Sequence, residues 1–151
     1  MKKWTVIDTL IVVAVVAVIA GAAAMFGSKL FDKSTKKNVE FTIMIDDKEK
    51  GLSDTMSVGD KVTLSLTEKD GGTIKDIRSE TSKVMVYDGI NGVYRNETNE
   101  EHEDIYVTVT ADCNINDKAI KTGGTDIKVG KEIPVRGKGY ATLGFVIEIN
   151  D

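Results

Sequence analysis

The sequence predicts an all-β domain, a small barrel or paired antiparallel sheets with an internal duplication, carried behind one N-terminal transmembrane α-helix. Three observations predict it. An uncharged run of twenty residues, Thr9 to Ser28, lies near the start of the chain. Alternation of apolar and polar residues with period two recurs through the remainder. Two glycine-bearing units, one in each half of that remainder, echo each other in residue type and spacing.

The run reads TLIVVAVVAVIAGAAAMFGS. As a helix rising 1.5 Å per residue it would span about 30 Å, the thickness of a bilayer's hydrocarbon core. Its flanks carry interface chemistry. Lys2, Lys3 and Trp4 precede it, and Phe26, Lys29 and Phe31 mark its far side; aromatic rings and lysines anchor spans at both membrane faces. Thr5 suits an N-cap, and Asp8 suits the positive end of the helix dipole. Residues 1–31 are therefore expected to be a membrane anchor, 32–38 a short polar linker and 39–151 one domain. A cleaved signal peptide is the rival, because Ala20-Gly21-Ala22 and Ala22-Ala23-Ala24 offer small-x-small cut sites. The length of the run, Asp8 and the far-side aromatics favour retention.

Lysine counting puts the downstream side in the cytoplasm, with Lys29, Lys33, Lys36 and Lys37 against Lys2 and Lys3. A tail of a few basic residues followed by a large domain favours the opposite, since large domains cross regardless of charge. We expect the N-terminus inside and the domain outside the cytoplasmic membrane. Ala17 and Gly21, Ala20 and Ala24, and Ala23 and Gly27 are small-xxx-small pairs. Such pairs let helices approach closely, so a homo-oligomer through the N-terminal helix is one partner to consider beside the lipid bilayer.

Residues 38–151 hold 14 Lys and Arg against 22 Asp and Glu, a net of −8. That charge repels phosphate backbones and argues against nucleic acid as a partner. Cys113 is the single cysteine, so an internal disulfide and a multi-cysteine zinc site are excluded.

Val39, Phe41, Ile43 and Ile45 alternate with polar neighbours, as do Val62, Leu64 and Leu66, then Ile105, Val107, Val109 and Ala111, and finally Leu143, Phe145, Ile147 and Ile149. Each set reads as a half-buried strand. Shorter strands are expected at Thr73–Arg78, Lys83–Tyr87, Val93–Arg95 and Glu132–Val135. Turns are expected at Asp70-Gly71-Gly72, Asp88-Gly89, Asn91-Gly92, Gly123-Gly124 and Gly137-Lys138-Gly139, with a short helical turn near Leu52–Met56.

The echo pairs Val58-Gly59-Asp60-Lys61-Val62 with Val129-Gly130-Lys131-Glu132-Ile133. It also pairs Gly72-Thr73-Ile74-Lys75-Asp76-Ile77 with Gly144-Phe145-Val146-Ile147-Glu148-Ile149. Each unit follows a strong alternating strand, Val39–Ile45 or Ile105–Ala111. Gly59, Gly72, Gly130 and Gly144 are thus the expected repeat turns. A duplicated β unit closing on itself would hide its strand edges.

Chemistry-bearing motifs are sparse. Asp112-Cys113-Asn114-Ile115-Asn116-Asp117 begins like a calcium loop, but Asp117 stands where the turn needs glycine and Gly123 where the bidentate glutamate belongs. An Asx-rich turn is the expectation. Asn96 to Asp104, NETNEEHED, is the densest acidic run and reads as a solvated hairpin tip. It holds His102, the one histidine, and Asn96-Glu97-Thr98, a glycosylation-type triplet. No nucleophile–base pair and no phosphate-binding loop is present. We expect no catalytic residue, no cofactor and no metal site.

Over nearly its whole length the chain resembles a bacterial family known only as a domain of unknown function, number 4330. The resemblance rests on Ile7-Asp8 leading into the apolar span, the Val58-Gly59-Asp60 turn, Gly72-x-Ile74, Val129-Gly130 and Gly144-x-Val146. It implies a single-span membrane protein with a β-rich domain and transfers no catalytic residue. The start, Trp4-Thr5-Val6-Ile7-Asp8 before Leu10-Ile11-Val12-Val13-Ala14, also resembles a mature type IV pilin, with Asp8 where pilins carry a glutamate. Lys3 departs from the small residue expected before a prepilin cleavage site. The expected function is a non-enzymatic, single-pass envelope protein whose outer β domain binds or scaffolds an envelope protein or glycan. A pilin-like filament subunit assembling through the helix is the alternative.

Overall fold

The computed structural model describes residues 10–21, 34–66 and 71–150, and the chain divides into two compact units, Met1–Ser34 and Thr35–Asp151. In the first, residues 10–21 form a helix, α1. Twelve residues rise about 18 Å. Among the described residues no helix is long and apolar enough to cross a membrane. Of the expected twenty-residue span, only residues 10–21 are described, and they are helical over too short a length to cross a bilayer; Thr9 and 22–28 lie outside the described residues. All of α1 is exposed to solvent, with Leu10, Val13, Val18 and Ile19 each more than half exposed.

The second unit is all β. Its strands are β1 (Thr35–Glu49), β2 (Lys61–Thr63), β3 (Gly71–Asp88), β4 (Val93–Asn116), β5 (Ala119–Thr122), β6 (Thr125–Ile127), β7 (Glu132–Arg136) and β8 (Ala141–Asn150). Every pairing is antiparallel, in the order β1-β8-β7-β2-β3-β4-β5-β6, and β1 also pairs with β4. That last pairing closes β1, β8, β7, β2, β3 and β4 into a ring, which removes the edges an open sheet would expose. β5 and β6 continue as a small flap from the end of β4.

The alternation read in the sequence explains the interior. Val39, Phe41, Ile43 and Ile45 of β1 and Ile105, Val107, Val109 and Ala111 of β4 all face inward and are buried. They meet in register, Phe41 opposite Val109 and Ile43 opposite Val107. Val62, Leu64, Ile74, Ile133, Val135 and Val146 complete the core with Met56, Cys113, Ile127 and Tyr140. Each large side chain taken from water contributes about 1.5–3 kcal/mol.

The echo in sequence is an echo in hydrogen bonding. Gly59 N–H donates to Ile74 O at 2.8 Å and Ile74 N–H returns to Asp60 O at 2.9 Å; Gly130 N–H donates to Val146 O at 2.7 Å and Val146 N–H returns to Lys131 O at 3.0 Å. Both turn glycines have positive φ, +95° and +83°. Val62 pairs with Gly72 as Ile133 pairs with Gly144. Ile74 pairs with Val109 of β4 as Val146 pairs with Ile43 of β1. Each unit then shifts register at the next residue, Lys75 or Ile147. β1, β7 and β8 thus stand to the rest of the ring as β4, β2 and β3 do.

Several expectations need correction. Phe145, Ile147 and Leu143 lie on the outer face, 38%, 39% and 49% exposed; the inward residues of β8 are Gly144 and Val146, and the bulge at Ile147 reverses the phase so that Ile149 packs inward. A glycine fills the inward place because β1 passes too close for a side chain. Leu66 is exposed. Thr73–Arg78 and Lys83–Tyr87 belong to one strand, β3, and Val93–Arg95 belongs to β4. β1 starts at Thr35, inside the expected linker. The Asp112–Asn116 stretch continues β4, and only its end is an Asx turn: Asn116 Oδ1 accepts the N–H groups of Lys118 and Ala119 at 3.0 and 2.8 Å.

Candidate functional site

β3 and β4 outrun the barrel. β1 ends opposite His102, and Lys50 N–H makes a last bond to Glu101 O at 3.0 Å. From there Ser82–Asp88 pairs with Asn99–Val93 as a free two-stranded arm, about 20 Å long at 3.3 Å per residue. Thr35, where the chain enters the domain, lies at the opposite end of the β1–β4 ladder, across from Ile115.

Both faces of the arm carry apolar side chains, set among Lys83, Asn96 and Thr98 on one and Asp88, Arg95 and Glu97 on the other. Opposite residues share a face, so Met85, Tyr87 and Tyr94 lie on one side and Val84, Val86 and Val93 on the other. Met85 is 70% exposed, Tyr94 69% and Ile90, at the apex, 96%. The Tyr87 and Tyr94 rings meet at 5.1 Å between centroids. The apex is tightly built. Asp88 Oδ1 accepts the N–H groups of Ile90 and Asn91 at 3.0 and 3.2 Å, and its Oδ2 accepts the Asn91 amide at 2.6 Å. Gly92 N–H closes the turn on Asp88 O at 2.8 Å. The Asn91 side-chain amide, followed by the backbone donors, holds the Asp88 carboxyl below its usual range. Arg95 pairs with it at 3.1 Å. The exposed apolar residues are therefore presented on an ordered turn.

At the root of the arm lie the most chemically suggestive side chains. Asp47, in the left-handed region at φ 48°, sits where β1 shifts register against β4. Its N–H donates to Asp104 Oδ1 at 2.8 Å, and its Oδ1 meets His102 Nδ1 at 2.7 Å and the Ser82 hydroxyl at 3.3 Å. Serine, histidine and aspartate are together, but not as a triad. A nucleophilic hydroxyl must bond the imidazole that takes its proton; here Ser82, 1% exposed, donates to the carboxylate itself. Beside them Glu103 is buried. Burial alone would raise its pKa, but the Ser53 hydroxyl and the backbone N–H groups of Ser53, Gly51 and Leu52 outweigh that and lower it. These carboxylates fix the backbone from which the arm departs.

Cys113 is buried, and desolvation followed by the charge of Asp112 pushes its thiol up, away from the thiolate that reactivity needs. Among the described residues no three His, Cys, Asp or Glu side chains converge to hold a metal ion. Two open clefts of about 370 and 350 Å³ flank the Asn38–Asp112 hydrogen bond of 3.0 Å. Lys61, Thr63 and Thr110 line the first, and Lys36 and Lys37 the second.

Lys2, Lys3, Trp4, Asp8, Phe26, Lys29 and Phe31 lie outside the described residues. Of the four expected repeat turns, Gly59 and Gly130 are turns, whereas Gly72 and Gly144 lie within β3 and β8, at equivalent places where a neighbouring strand passes too close for a side chain. The acidic run Asn96–Asp104 is not a hairpin tip; it forms the inner part of the arm and its root, and the tip is Gly89–Gly92. The arm as an exposed surface was missed. Its signal was present: Val84-Met85-Val86-Tyr87 is apolar at every position instead of alternating, and it faces no second layer.

An antiparallel barrel with one projecting apolar ribbon defines an all-β module whose most distinctive surface is the ribbon. A family model described as Domain of unknown function (DUF4330) matches residues 1–150, and the chain belongs to that family. No curated protein and no solved structure matches it.

Proposed function

We propose that this chain is a membrane-tethered binding module of the bacterial envelope. The N-terminal segment holds the acidic β domain at the outer face of the cytoplasmic membrane, and the domain binds or scaffolds envelope proteins through its arm, without catalysis. The observation that carries this reading is the arm, an ordered ribbon whose apolar residues its own domain leaves uncovered. Monomeric proteins rarely leave such a patch without a use. Its composition favours a protein partner over a glycan. The side chains at its root support a structural role, because their oxygens are spent on backbone donors.

The tether is supported by the uncharged run with lysines and aromatics at both ends. A helix apolar on all sides, as α1 is, suits a lipid or protein environment better than water. The test is alkaline carbonate extraction of membranes from cells making the full chain. The wild type is expected in the pellet. A Val13→Arg/Val16→Asp variant is expected in the supernatant, since each charge at the centre of a span costs about 2.5–3.5 kcal/mol. Wild-type protein in the supernatant would sink the tether.

A further inference from the structure

The arm has two free edges, and they differ. Along β4 the edge beyond the last bond to Lys50, at Glu101, carries Arg95, Glu97 and Glu100, charges of the kind that keep strands from pairing. Along β3 the edge from Lys83 to Tyr87 carries one charge, Lys83, and neither a proline nor a register shift. Among the described residues no strand pairs with this edge, so its outward backbone N–H and C=O groups lie open beside exposed apolar side chains. Lipid cannot cover it, because a sheet edge in hydrocarbon leaves those groups unsatisfied. A partner groove would cover one face of a ribbon that carries exposed apolar side chains on two. An added strand satisfies the backbone and extends both faces.

We propose that this strand comes from a second copy of the chain: the β3 edges of two arms pair antiparallel about a two-fold axis at Met85. Antiparallel pairing about an axis normal to the ribbon sets residues of equal parity opposite each other. Centred on Met85, it places Val84 against Val86 and Lys83 against Tyr87, so each lysine lies on a tyrosine ring, a favourable cation–π arrangement. The two lysines stand about 13 Å apart, beyond the screening length at physiological salt. Centred on Val86 instead, the pairing would bring Val84 against Asp88 and set a carboxylate beside a valine. The charge pattern thus selects the Met85 register. Antiparallel arms also place the two domains, each of net charge −8, at opposite ends of the joint. This interface rests on the reading of the arm as the binding surface, but not on the membrane tether.

The test uses the full chain in detergent with a cysteine introduced at Met85; native Cys113 is buried and serves as an inert background. Mild oxidation is expected to link Met85→Cys into a dimer at least about tenfold faster than Tyr87→Cys, whose paired positions lie about 13 Å apart, outside disulfide reach. Met85→Lys, which sets two like charges on the axis, is expected to give a monomer by light scattering with an unchanged far-ultraviolet spectrum. A monomeric wild type would overturn the proposal. So would a dimer that survives Met85→Lys, which would place association elsewhere, or crosslinking in native membranes to a different protein. If the chain fails to sediment with membranes yet crosslinks through Met85→Cys, the tether falls and this interface stands.

Discussion

The hydroxyls of Thr42 and Thr108 meet at 3.2 Å across the β1–β4 pair, and each residue is the other's counterpart in the repeat. Glu148 of β8 pairs with Thr42, as Asp76 of β3 pairs with Thr108. The contact therefore marks where the two halves of the barrel exchange places. Two copies of one β unit, joined edge to edge at β1 and β4, account for the closed ring.

Equivalent glycines should respond alike when their constraint is the same and differently when it is not. Gly59 and Gly130 have positive φ, and nothing lies within 4 Å of an added Cβ at either. Alanine at either position is expected to cost about 1–2 kcal/mol, the same at both within error, from backbone conformation alone. A Cβ on Gly144 would meet Met44 O at 2.7 Å, whereas one on Gly72 would chiefly meet the Val109 side chain at 2.4 Å. Both alanines should destabilise by about 1–3 kcal/mol, Gly144→Ala more, because a backbone oxygen yields less than a side chain. Urea unfolding of the full chain in detergent, followed by far-ultraviolet circular dichroism, measures all four. Unequal costs for Gly59→Ala and Gly130→Ala would count against equivalence.

Tyr140 ties the two halves together and should limit stability in alkali. Its ring is buried and its hydroxyl donates to Asp60 Oδ2 at 3.3 Å. Burial first, then the Asp60 charge and the hydrogen bond, push its pKa from 10.0 up to about 12. The folded state thus holds this proton more tightly than the unfolded chain does. The stabilisation is fully present below pH 10 and is lost as pH rises through about 12. Tyr140→Phe should flatten the decline in melting temperature between those values. An unchanged slope would show that the phenol does not carry it.

Glu103 should set the acid limb. Its folded pKa lies below 4.5, so its contribution is present above that pH and is lost as pH falls through the folded value. Glu103→Gln keeps the shape and an oxygen for the Gly51 and Ser53 N–H groups, but removes the charge that strengthens these bonds and sets an amide NH2 where the Ser53 hydroxyl now donates. A loss of about 1–3 kcal/mol at neutral pH is expected, with a shallower acid decline, both read by denaturant melts across pH. A variant as stable as the wild type at pH 7 would remove Glu103 from the account of the arm's root.

The barrel was legible in the sequence where one physical rule acted alone. Val39–Ile45 and Ile105–Ala111 alternate strictly, and both strands lie as read. β8 misled because its inward position is a glycine and its bulge reverses the phase at Ile147, so the larger apolar residues Leu143 and Phe145 took the outer face. β5 and β6 are too short to leave a periodic trace. The arm was hidden for a different reason. Its strands were visible as Lys83–Tyr87 and Val93–Arg95, but only the register of β1, ending at Glu49, shows that among the described residues no third strand covers them. The spent hydrogen bonds of Ser82 and His102 were equally beyond a one-dimensional reading, since Asp47 lies 35 and 55 residues from them.

The most direct test of the central claim is protease treatment of intact spheroplasts making the full chain. A retained N-terminal segment with the domain outside exposes residues 35–151 and shields residues near 10–28. The account predicts that the 16.4 kDa chain is degraded from outside to a short membrane-bound N-terminal fragment, while a cytoplasmic marker stays whole. Full protection until lysis, or release of the intact domain into the supernatant without protease, would contradict it.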